Sequence, residues 1–251
     1  MSKVYLSVVV PCYNETENLQ RGVLEEVYAF LKKQKFTWEV IISDDGSTDK
    51  SREIVAGQIK SMKDFRLTEN EHGGKPSAVW GGIKNSVGEY VLFTDMDQST
   101  PIKEVLKLMP LFKDCEVVIG SRGMERENFS IVRKLGSNVF RLFRKTLMLR
   151  DINDTQCGFK ALRLDVANKI FPMLQFFKKE KAVSGWKVTS FDVELLFLAE
   201  KYGFKIKEVP VEWKDRDVAK GKKKSYFKES KEMLMQILRV KFNDLRGLYE
   251  K

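Results

Sequence analysis

Two acidic residues, Asp95 and Asp97, stand one residue apart directly after the apolar run EYVLFT. If that run is a strand, both carboxylates reach the same point beyond its end and can bind one cation. Mg²⁺ and Mn²⁺ take oxygen ligands and keep coordination positions for diphosphate oxygens. The pair therefore predicts a metal site that neutralises charge on a departing nucleoside diphosphate. A solvated turn is the alternative, because this short pattern is common.

A second acidic pair, Asp44 and Asp45, follows the run WEVIIS. A carboxylate there can accept a hydrogen bond from a base imide or from a ribose hydroxyl. The sequence DDGSTD equally suits an Asx turn that opens a helix. Both functions are compatible if one aspartate contacts a ligand while Ser47 or Thr48 caps the helix.

The chain has one histidine, His72, and three cysteines at positions 12, 115 and 157 without CxxC spacing. This composition excludes most zinc sites and argues against a disulfide framework, so reduced thiols are expected. His72 precedes two glycines. We favour a loop histidine over a contact with phosphate or sugar.

The acidic residues stand at the ends of strands that alternate with helices. Strand patterns are predicted at 4–10, 38–43, 65–69, 89–94 and 116–120. Such alternation predicts an α/β fold with a mainly parallel sheet and helices on both faces. Ligands of these sheets bind beyond the carboxyl ends of the strands. No GxGxxG follows the first strand, which disfavours a dinucleotide site.

Several helices are predicted around these strands. Asn14, with Glu17 three residues on, indicates a capping box that opens one helix. The apolar stripe of this helix is Leu19, Val23, Val27 and Phe30. A strong helix is predicted at 190–204 and an edge strand at 206–213. We expect a catalytic domain at 1–225 and an amphipathic helical tail at 226–251.

The tail helix carries an apolar face, and three roles remain open for it. That face consists of Leu234, Leu238, Phe242 and Leu245. It could pack on its own domain, join two copies of the chain, or lie on anionic lipid.

The net charge of +10 is concentrated in two segments, 122–150 and 220–251, each of net charge +6, which leaves 10 − 12 = −2 elsewhere. Such segments attract phosphates, anionic lipid or nucleic acid. No run of 18 apolar residues is present, so no transmembrane helix is predicted. The apolar start suits a strand better than a signal peptide. We therefore expect a cytoplasmic protein that is peripheral on the cytoplasmic face of a membrane.

Five motifs cover residues 4–122, namely VVVPCYNETENL, ISDDGSTDKS, NEHGGKPSAVWGG, DMDQSTP and VIGSR. Together they resemble the family 2 glycosyltransferases of the GT-A fold. The second half of the chain contains the motifs RKLGSN, DTQCGFKAL, FDVELL and EVPVEWKDR, which resemble the polyprenyl-phosphate hexosyltransferases. Two of them, DTQCGFKAL and FDVELL, favour dolichyl-phosphate glucose synthases over mannose synthases. The resemblance implies an inverting, Mg²⁺- or Mn²⁺-dependent transfer of a hexose from a nucleotide sugar to a polyprenyl phosphate. UDP-glucose is favoured over GDP-mannose.

The resemblance also assigns residues to the donor site. A nucleoside pocket would be lined by Pro11, Tyr13, Glu15 and Asp44, with Asp45 beside it. Lys75 would approach the diphosphate, and Asp95 and Asp97 would hold the metal. Ser99 stands where the mannose synthases have a Gln, so metal ligation by the neighbouring Gln98 is doubtful. Arg216 and one of Lys222, Lys223 or Lys224 match a loop that closes over the donor phosphates.

On the acceptor side, the resemblance assigns Arg122, Arg133 and Ser137 to the phosphate. Spacing supports this independently. Arg133, Ser137, Arg141 and Arg144 share one helical face, and no acidic residue lies between positions 128 and 150. Guanidinium groups suit phosphate bidentately. A solvated face is the alternative.

The acceptor phosphate is already anionic at neutral pH, so it needs little help from a base. Asp154 is the best candidate if a base is needed, and loop capping is its alternative. A second hypothesis keeps the fold and makes a saccharide hydroxyl the acceptor. A third is a basic nucleic-acid-binding module, which we do not expect, because acidic strand ends repel phosphate without metal. A homo-oligomer remains open.

Overall fold

The computed structural model describes residues 3–123, 152–178, 191–218 and 226–250, and the side chains of the last helix from Leu234 onward. Seven strands of these residues form one sheet in the order β3-β2-β1-β4-β6-β5-β7. The strands are β1 (Leu6–Cys12), β2 (Trp38–Asp44), β3 (Phe65–Glu69), β4 (Tyr90–Phe93), β5 (Val117–Ser121), β6 (Lys160–Arg163) and β7 (Ile206–Pro210). Only β6 runs antiparallel to its neighbours, so the prediction of a mainly parallel sheet is confirmed.

Helices cover both faces of the sheet, as predicted. They are α1 (Thr16–Gln20), α2 (Val23–Leu31), α3 (Ser51–Gln58), α4 (Lys75–Lys84), α5 (Val105–Leu108), α6 (Leu164–Ile170), α7 (Phe191–Lys201) and α8 (Tyr226–Leu245). Alternate residues of β1 enter opposite cores, because strand side chains alternate between faces. Val9 packs in one core with Val79 and Leu195, and Val8 packs in the other with Val27.

The predicted single helix after β1 is two helices, and its capping box is wrong. Asn14 lies in the left-handed region with φ 54°. Its Oδ1 accepts a hydrogen bond from the Thr48 N–H at 2.9 Å, so the side chain joins two loops and caps no helix. Gly22, with φ 83°, then separates α1 from α2. A residue other than glycine is disfavoured in that conformation.

The last helix has the predicted apolar face, but that face points to solvent. Leu238, Phe242 and Leu245 are 42%, 55% and 78% exposed. The core contacts come from Ile237 and Val240, which are buried with α7. The division at residue 225 stays a prediction. Within the described ranges, no helix combines the length and apolarity needed to cross a bilayer.

Candidate active site

The carboxyl ends of β1, β2 and β4 meet at one edge of the sheet, because these strands are parallel neighbours. Cys12 pairs with Asp44, and Pro11 pairs with Ser43 one position earlier. The Asp45 N–H donates to the Cys12 carbonyl at 2.8 Å. The sheet therefore brings together the polar segments that follow these strands.

Asp44 is fully buried at this edge, and only one of its carboxylate oxygens is used. Oδ2 accepts hydrogen bonds from the Gly46 and Ser47 N–H groups, both at 3.0 Å. Oδ1 is buried and has no hydrogen-bond partner among the described residues. A buried acceptor without a donor is costly, so this oxygen suits a ligand N–H or O–H group.

Asp45 organises the loop before α4. Its carboxylate accepts hydrogen bonds from the Gly73 and Gly74 N–H groups at 3.0 and 2.7 Å. Burial raises the pKa of the Asp45 carboxyl, and these two N–H groups oppose that rise. Because its oxygens are occupied by the loop, Asp45 shapes the predicted nucleoside pocket from beside it.

His72 lies in the loop between β3 and α4, as we favoured, and it contacts Tyr13 and Asp45 beside the predicted nucleoside pocket. Its ring stacks on Tyr13 with centroids 4.5 Å apart, and its Nδ1 is 2.9 Å from Asp45 Oδ2. Its Nε2 is buried without a partner among the described residues. The Tyr13–His72 stack and Asp44 Oδ1 form an aromatic and polar surface of the kind that holds a nucleoside.

Glu15 is buried beside the pocket and is tied to the segment after β7. The Asn18 amide donates to Glu15 Oε2 at 2.6 Å and to Asp217 Oδ1 at 3.1 Å. The Val218 N–H donates back to Asn18 Oδ1 at 3.4 Å. Asn18 therefore joins the predicted donor pocket to the segment that carries Arg216.

Asp95 and Asp97 lie just beyond β4, as the sequence predicts. Asp97 Oδ1 accepts a hydrogen bond from the Ser99 N–H at 2.8 Å. Burial, followed by the charge of Asp95, raises the pKa of the Asp97 carboxyl. Two crowded carboxylates are stabilised by a cation, and their oxygens are the hard ligands that Mg²⁺ or Mn²⁺ takes. The residues therefore fit the implied metal.

The described residues contain no cluster of three or more His, Cys, Asp or Glu side chains placed to hold a metal. Gln98 donates through Nε2 to the Asp95 carbonyl and accepts the Ile102 N–H through Oε1, so it stabilises the loop. Ser99 Oγ accepts the Arg216 N–H. Among the described residues, the candidate ligands are therefore Asp95 and Asp97, which leaves coordination positions for the diphosphate oxygens expected from the sequence.

Lys75 begins α4 and points into the same site. Its Nζ donates to Asp95 Oδ1. Burial favours the neutral amine, but the charges of Asp95 and Asp192 outweigh it and raise the pKa of Lys75. A charged ammonium thus stands beside the candidate metal ligand.

On the other side of β4, Arg122 at the end of β5 is paired with Asp154. Its Nε and Nη2 atoms lie 2.7 and 2.8 Å from the two carboxylate oxygens. Burial opposes ionisation of Asp154, but the hydrogen bonds and charge of Arg122 outweigh it and lower the pKa of this carboxyl to about 2. The Asp154 carboxylate also accepts the Gln156 N–H at 3.2 Å, so it caps its loop.

The backbone of Arg216, and not its guanidinium, contacts the loop that carries Asp95, Asp97 and Ser99. Its N–H donates to Ser99 Oγ at 3.1 Å, whereas its guanidinium pairs with Glu26 at 2.8 and 2.9 Å. The structure therefore does not bring this side chain to the carboxylates of Asp95 and Asp97. The other residues predicted to grip phosphate, Arg133, Ser137, Lys222, Lys223 and Lys224, lie outside the described residues.

The sequence profile described as Glycosyl transferase family 2 matches residues 7–171, which include the carboxyl ends of β1, β2, β4 and β5. The chain belongs to this family. It is a glycosyltransferase, as the motifs predict. The dolichyl-phosphate beta-glucosyltransferase of Dictyostelium discoideum is 34% identical over 268 residues, which cover 100% of this chain and 78% of that protein. The enzyme of the same name from Saccharomyces cerevisiae is 33% identical over 98% of this chain and 77% of its own length.

A solved structure matches the glycosyltransferase at the level of fold. Glucosyl-3-phosphoglycerate synthase from Mycobacterium tuberculosis, crystallised with Mn²⁺, UDP and glucosyl-3-phosphoglycerate, superposes with a TM-score of 0.61. It is 17% identical, and the match covers 94% of this chain and 78% of that one. The predicted GT-A fold is confirmed.

Three residues that support the site were missed in the sequence. Gly158 lies against Asp95, and Lys160 is a fully buried lysine whose Nζ donates to Asp192 Oδ1 at 2.6 Å. Gly158, Lys160 and Asp192 all stand in motifs from which we inferred only the family resemblance. One signal was available, since a lysine within the apolar run GFKAL predicts a buried partner of opposite charge.

Replacing Asp154 with Asn in the glycosyltransferase should lower the free energy of unfolding at pH 7 by about 2 kcal/mol. The pKa of Asp154 falls from 3.8 to about 2 in the folded state, and each unit corresponds to about 1.4 kcal/mol. A carboxyl with a lowered pKa stabilises the folded state at pH values above its pKa in the unfolded state. The difference in unfolding free energy between the wild type and the variant should therefore disappear as the pH falls from about 4 to about 2. Urea denaturation at several pH values measures it.

Asp165→Asn is the matched control, because Asp165 pairs with Arg163 at 2.6 Å but its side chain is 66% exposed. Exposed pairs contribute about 0–1 kcal/mol. Equal effects of the two substitutions, or an Asp154 effect that persists unchanged at low pH, would contradict the prediction.

Proposed function

We propose that this glycosyltransferase moves glucose from UDP-glucose to a polyprenyl phosphate of the dolichyl type, with inversion and with a divalent cation. One observation carries the sugar and acceptor. The relatives from Dictyostelium discoideum and Saccharomyces cerevisiae, both named dolichyl-phosphate beta-glucosyltransferase, match 100% and 98% of this chain. The nucleotide and the cation are inferred from the geometry of the site and from the Mycobacterium tuberculosis synthase, which was crystallised with UDP and Mn²⁺.

Asp95 and Asp97 would hold the cation, Mg²⁺ or Mn²⁺. Its chemistry there would be to neutralise the charge that develops on the leaving diphosphate. The protein supplies two carboxylates. Burial and the charge of Asp95 raise the pKa of the Asp97 carboxyl. This leaves the donor phosphates to complete the coordination.

The donor nucleoside would bind beyond the carboxyl ends of β1 and β2. Asp44 Oδ1, buried and without a partner among the described residues, would accept a hydrogen bond from the base or the ribose. The stacked rings of Tyr13 and His72 would bound the pocket. Lys75, with its charge retained despite burial, would face the diphosphate.

In the reaction, an oxygen of the acceptor phosphate attacks the anomeric carbon while the bond to the UDP oxygen breaks. A phosphate monoester has a second pKa near ~6 and is anionic at neutral pH, so no protein base is required. A carboxyl whose pKa is lowered to about 2 is also a weak base. We therefore assign Asp154 to holding Arg122, which would meet the acceptor phosphate together with Arg133 and Ser137.

We propose a peripheral position on the cytoplasmic face of a membrane, and the exposed face of α8 supports the contact with a membrane surface. Leu245 is 78% exposed, and Arg246 stacks over the ring of Phe242 at 4.4 Å. Apolar side chains beside cations suit an anionic lipid surface. Association of two copies through this face is the alternative.

One assay tests the proposal. The enzyme is mixed with Mn²⁺ and with anionic vesicles that contain a polyprenyl phosphate, and each of several nucleotide sugars is supplied in turn. We expect glucose to reach the lipid from UDP-glucose about 10²-fold faster than mannose from GDP-mannose. The lipid product should be β-linked, and the enzyme should sediment with the vesicles. Faster transfer to a saccharide hydroxyl, or an α-linked product, would reject the proposal.

A further inference from the structure

A line of buried charges lies behind the candidate metal ligands. Lys160 on β6 has no exposed side-chain surface, and its Nζ donates to Asp192 Oδ1 at 2.6 Å and to the Cys157 carbonyl. Asp192 stands in the first turn of α7, and its side chain is 10% exposed. The two hydrogen bonds of Lys160 hold it in place, and Lys160 in turn holds the Asp192 carboxylate.

Lys75 lies between this pair and the metal ligands. Its side chain is 11% exposed, and its Nζ donates to Asp95 Oδ1. Phe191, next to Asp192, packs on Phe93 of β4 with ring centroids 6.2 Å apart, and Lys160 pairs with Phe93 in the sheet. Phe93 stands two residues before Asp95, so the Lys160–Asp192 pair lies beside the segment that carries the partner of Lys75. Burial lowers the pKa of Lys75, and the charges of Asp95 and Asp192 raise it. Lys75 therefore has one carboxylate in contact and a second one close by.

The contact between Lys75 and Asp95 competes with metal binding. A divalent cation on Asp95 would lie close to the ammonium that Asp95 Oδ1 now holds, and two cations at contact distance repel each other. Asp95 has little room on the side of Gly158, because a Cβ on that glycine would lie only 2.0 Å from Asp95 Oδ2. Lys75, with its flexible four-carbon chain, is the partner that can move.

We propose that Lys75 neutralises Asp95 while the enzyme is free of metal, and that the Lys75 ammonium moves to Asp192 when a divalent cation binds to Asp95. Asp192, held by Lys160, is thus a positioning residue. Its function is to retain Lys75 beside the site, where the ammonium faces the donor diphosphate. This inference rests on the proposed metal dependence of the transfer.

Mn²⁺ binding to the enzyme without nucleotide tests the exchange, with free Mn²⁺ measured by electron paramagnetic resonance. Lys75→Met removes the competing cation, so Mn²⁺ should bind about tenfold more tightly than to the wild type. Asp192→Asn removes the second partner and leaves Lys75 on Asp95, so Mn²⁺ should bind about tenfold more weakly. The double variant should behave like Lys75→Met, because Asp192 acts only through Lys75.

Two further variants guard against indirect effects. Lys84→Met removes an exposed lysine at the end of the same helix and should leave the Mn²⁺ affinity unchanged. Lys75→Arg keeps the charge and should stay near the wild-type affinity. If both Lys75→Met and Asp192→Asn weaken binding, the two residues are only structural and the proposal fails. It also fails if Lys75→Met binds Mn²⁺ no better than the wild type, including the case in which neither binds.

The inference and the proposed function can fail separately. Glucose transfer by the wild type that continues at full rate in EDTA would reject the metal dependence itself. Transfer that stops in EDTA, together with unchanged Mn²⁺ affinity in Lys75→Met, would reject only the exchange.

Discussion

Asp95→Asn is expected to lower kcat/KM for transfer from UDP-glucose by about 10³-fold, and Asp97→Asn should do the same. Both carboxylates follow β4 at the edge that also carries Asp44. Loss of a bound cation that stabilises a leaving diphosphate removes several kcal/mol, and about 4 kcal/mol corresponds to about 10³-fold in rate. Initial rates with a polyprenyl phosphate acceptor, measured at several Mn²⁺ concentrations, check it.

Asp114→Asn is the control for removal of one negative charge, because Asp114 is exposed and lies between α5 and β5. It should leave the rate within about twofold of the wild type, as most surface substitutions have small effects. Circular dichroism should show that the Asp95 and Asp97 variants remain folded, since Asn keeps the size of Asp. Undiminished turnover by either variant would remove the basis of the proposed metal site.

Gly158→Ala is expected to lower kcat by about 10²-fold although the substitution adds a single methyl group. A Cβ at position 158 would lie 2.0 Å from Asp95 Oδ2 and 2.6 Å from its Cγ, so the carboxylate must move. Displacement of a catalytic group by about 1 Å can reduce the rate by about 10²-fold. Mn²⁺ affinity should fall together with the rate, and both can be measured on the same preparation.

Gly57→Ala is a matched control, because a Cβ there would meet no atom within 4 Å. Gly57 lies inside α3, where alanine is the better helix former by about 1 kcal/mol. This variant should keep full activity and unfold at a slightly higher urea concentration. Equal activity of the two glycine variants would mean that the Asp95 position is not set by the close approach of Gly158.

Local patterns were sufficient for most of the secondary structure. The strand predicted at 65–69 is β3, and the helix predicted to begin near Lys75 is α4. These elements follow from alternating or continuous apolar residues bounded by turn residues, and such signals are local. The predicted edge strand is β7, which contains Pro210 and pairs with β5 at one end of the sheet that the described residues form.

Two elements show that a local pattern can have more than one tertiary use. Asn14 has a side chain suited to a helix cap, yet its Oδ1 accepts the Thr48 N–H from a segment that is distant in sequence. The periodicity of α8 identifies an apolar face, but a second set, Ile237 and Val240, is the one that meets α7. Periodicity shows which residues share a face and does not show what covers it.

The sequence alone determined which edge of the sheet carries these acidic residues, because the carboxyl ends of neighbouring parallel strands lie at the same edge. Asp44, Asp95 and Asp97 are found at that edge. Only the tertiary structure decided the partners of those carboxylates. Lys75 with Asp95, Arg122 with Asp154, and Lys160 with Asp192 are each 20 or 32 residues apart in the chain. Charge pairing at such separations depends on how strands and helices pack, and no local pattern encodes it.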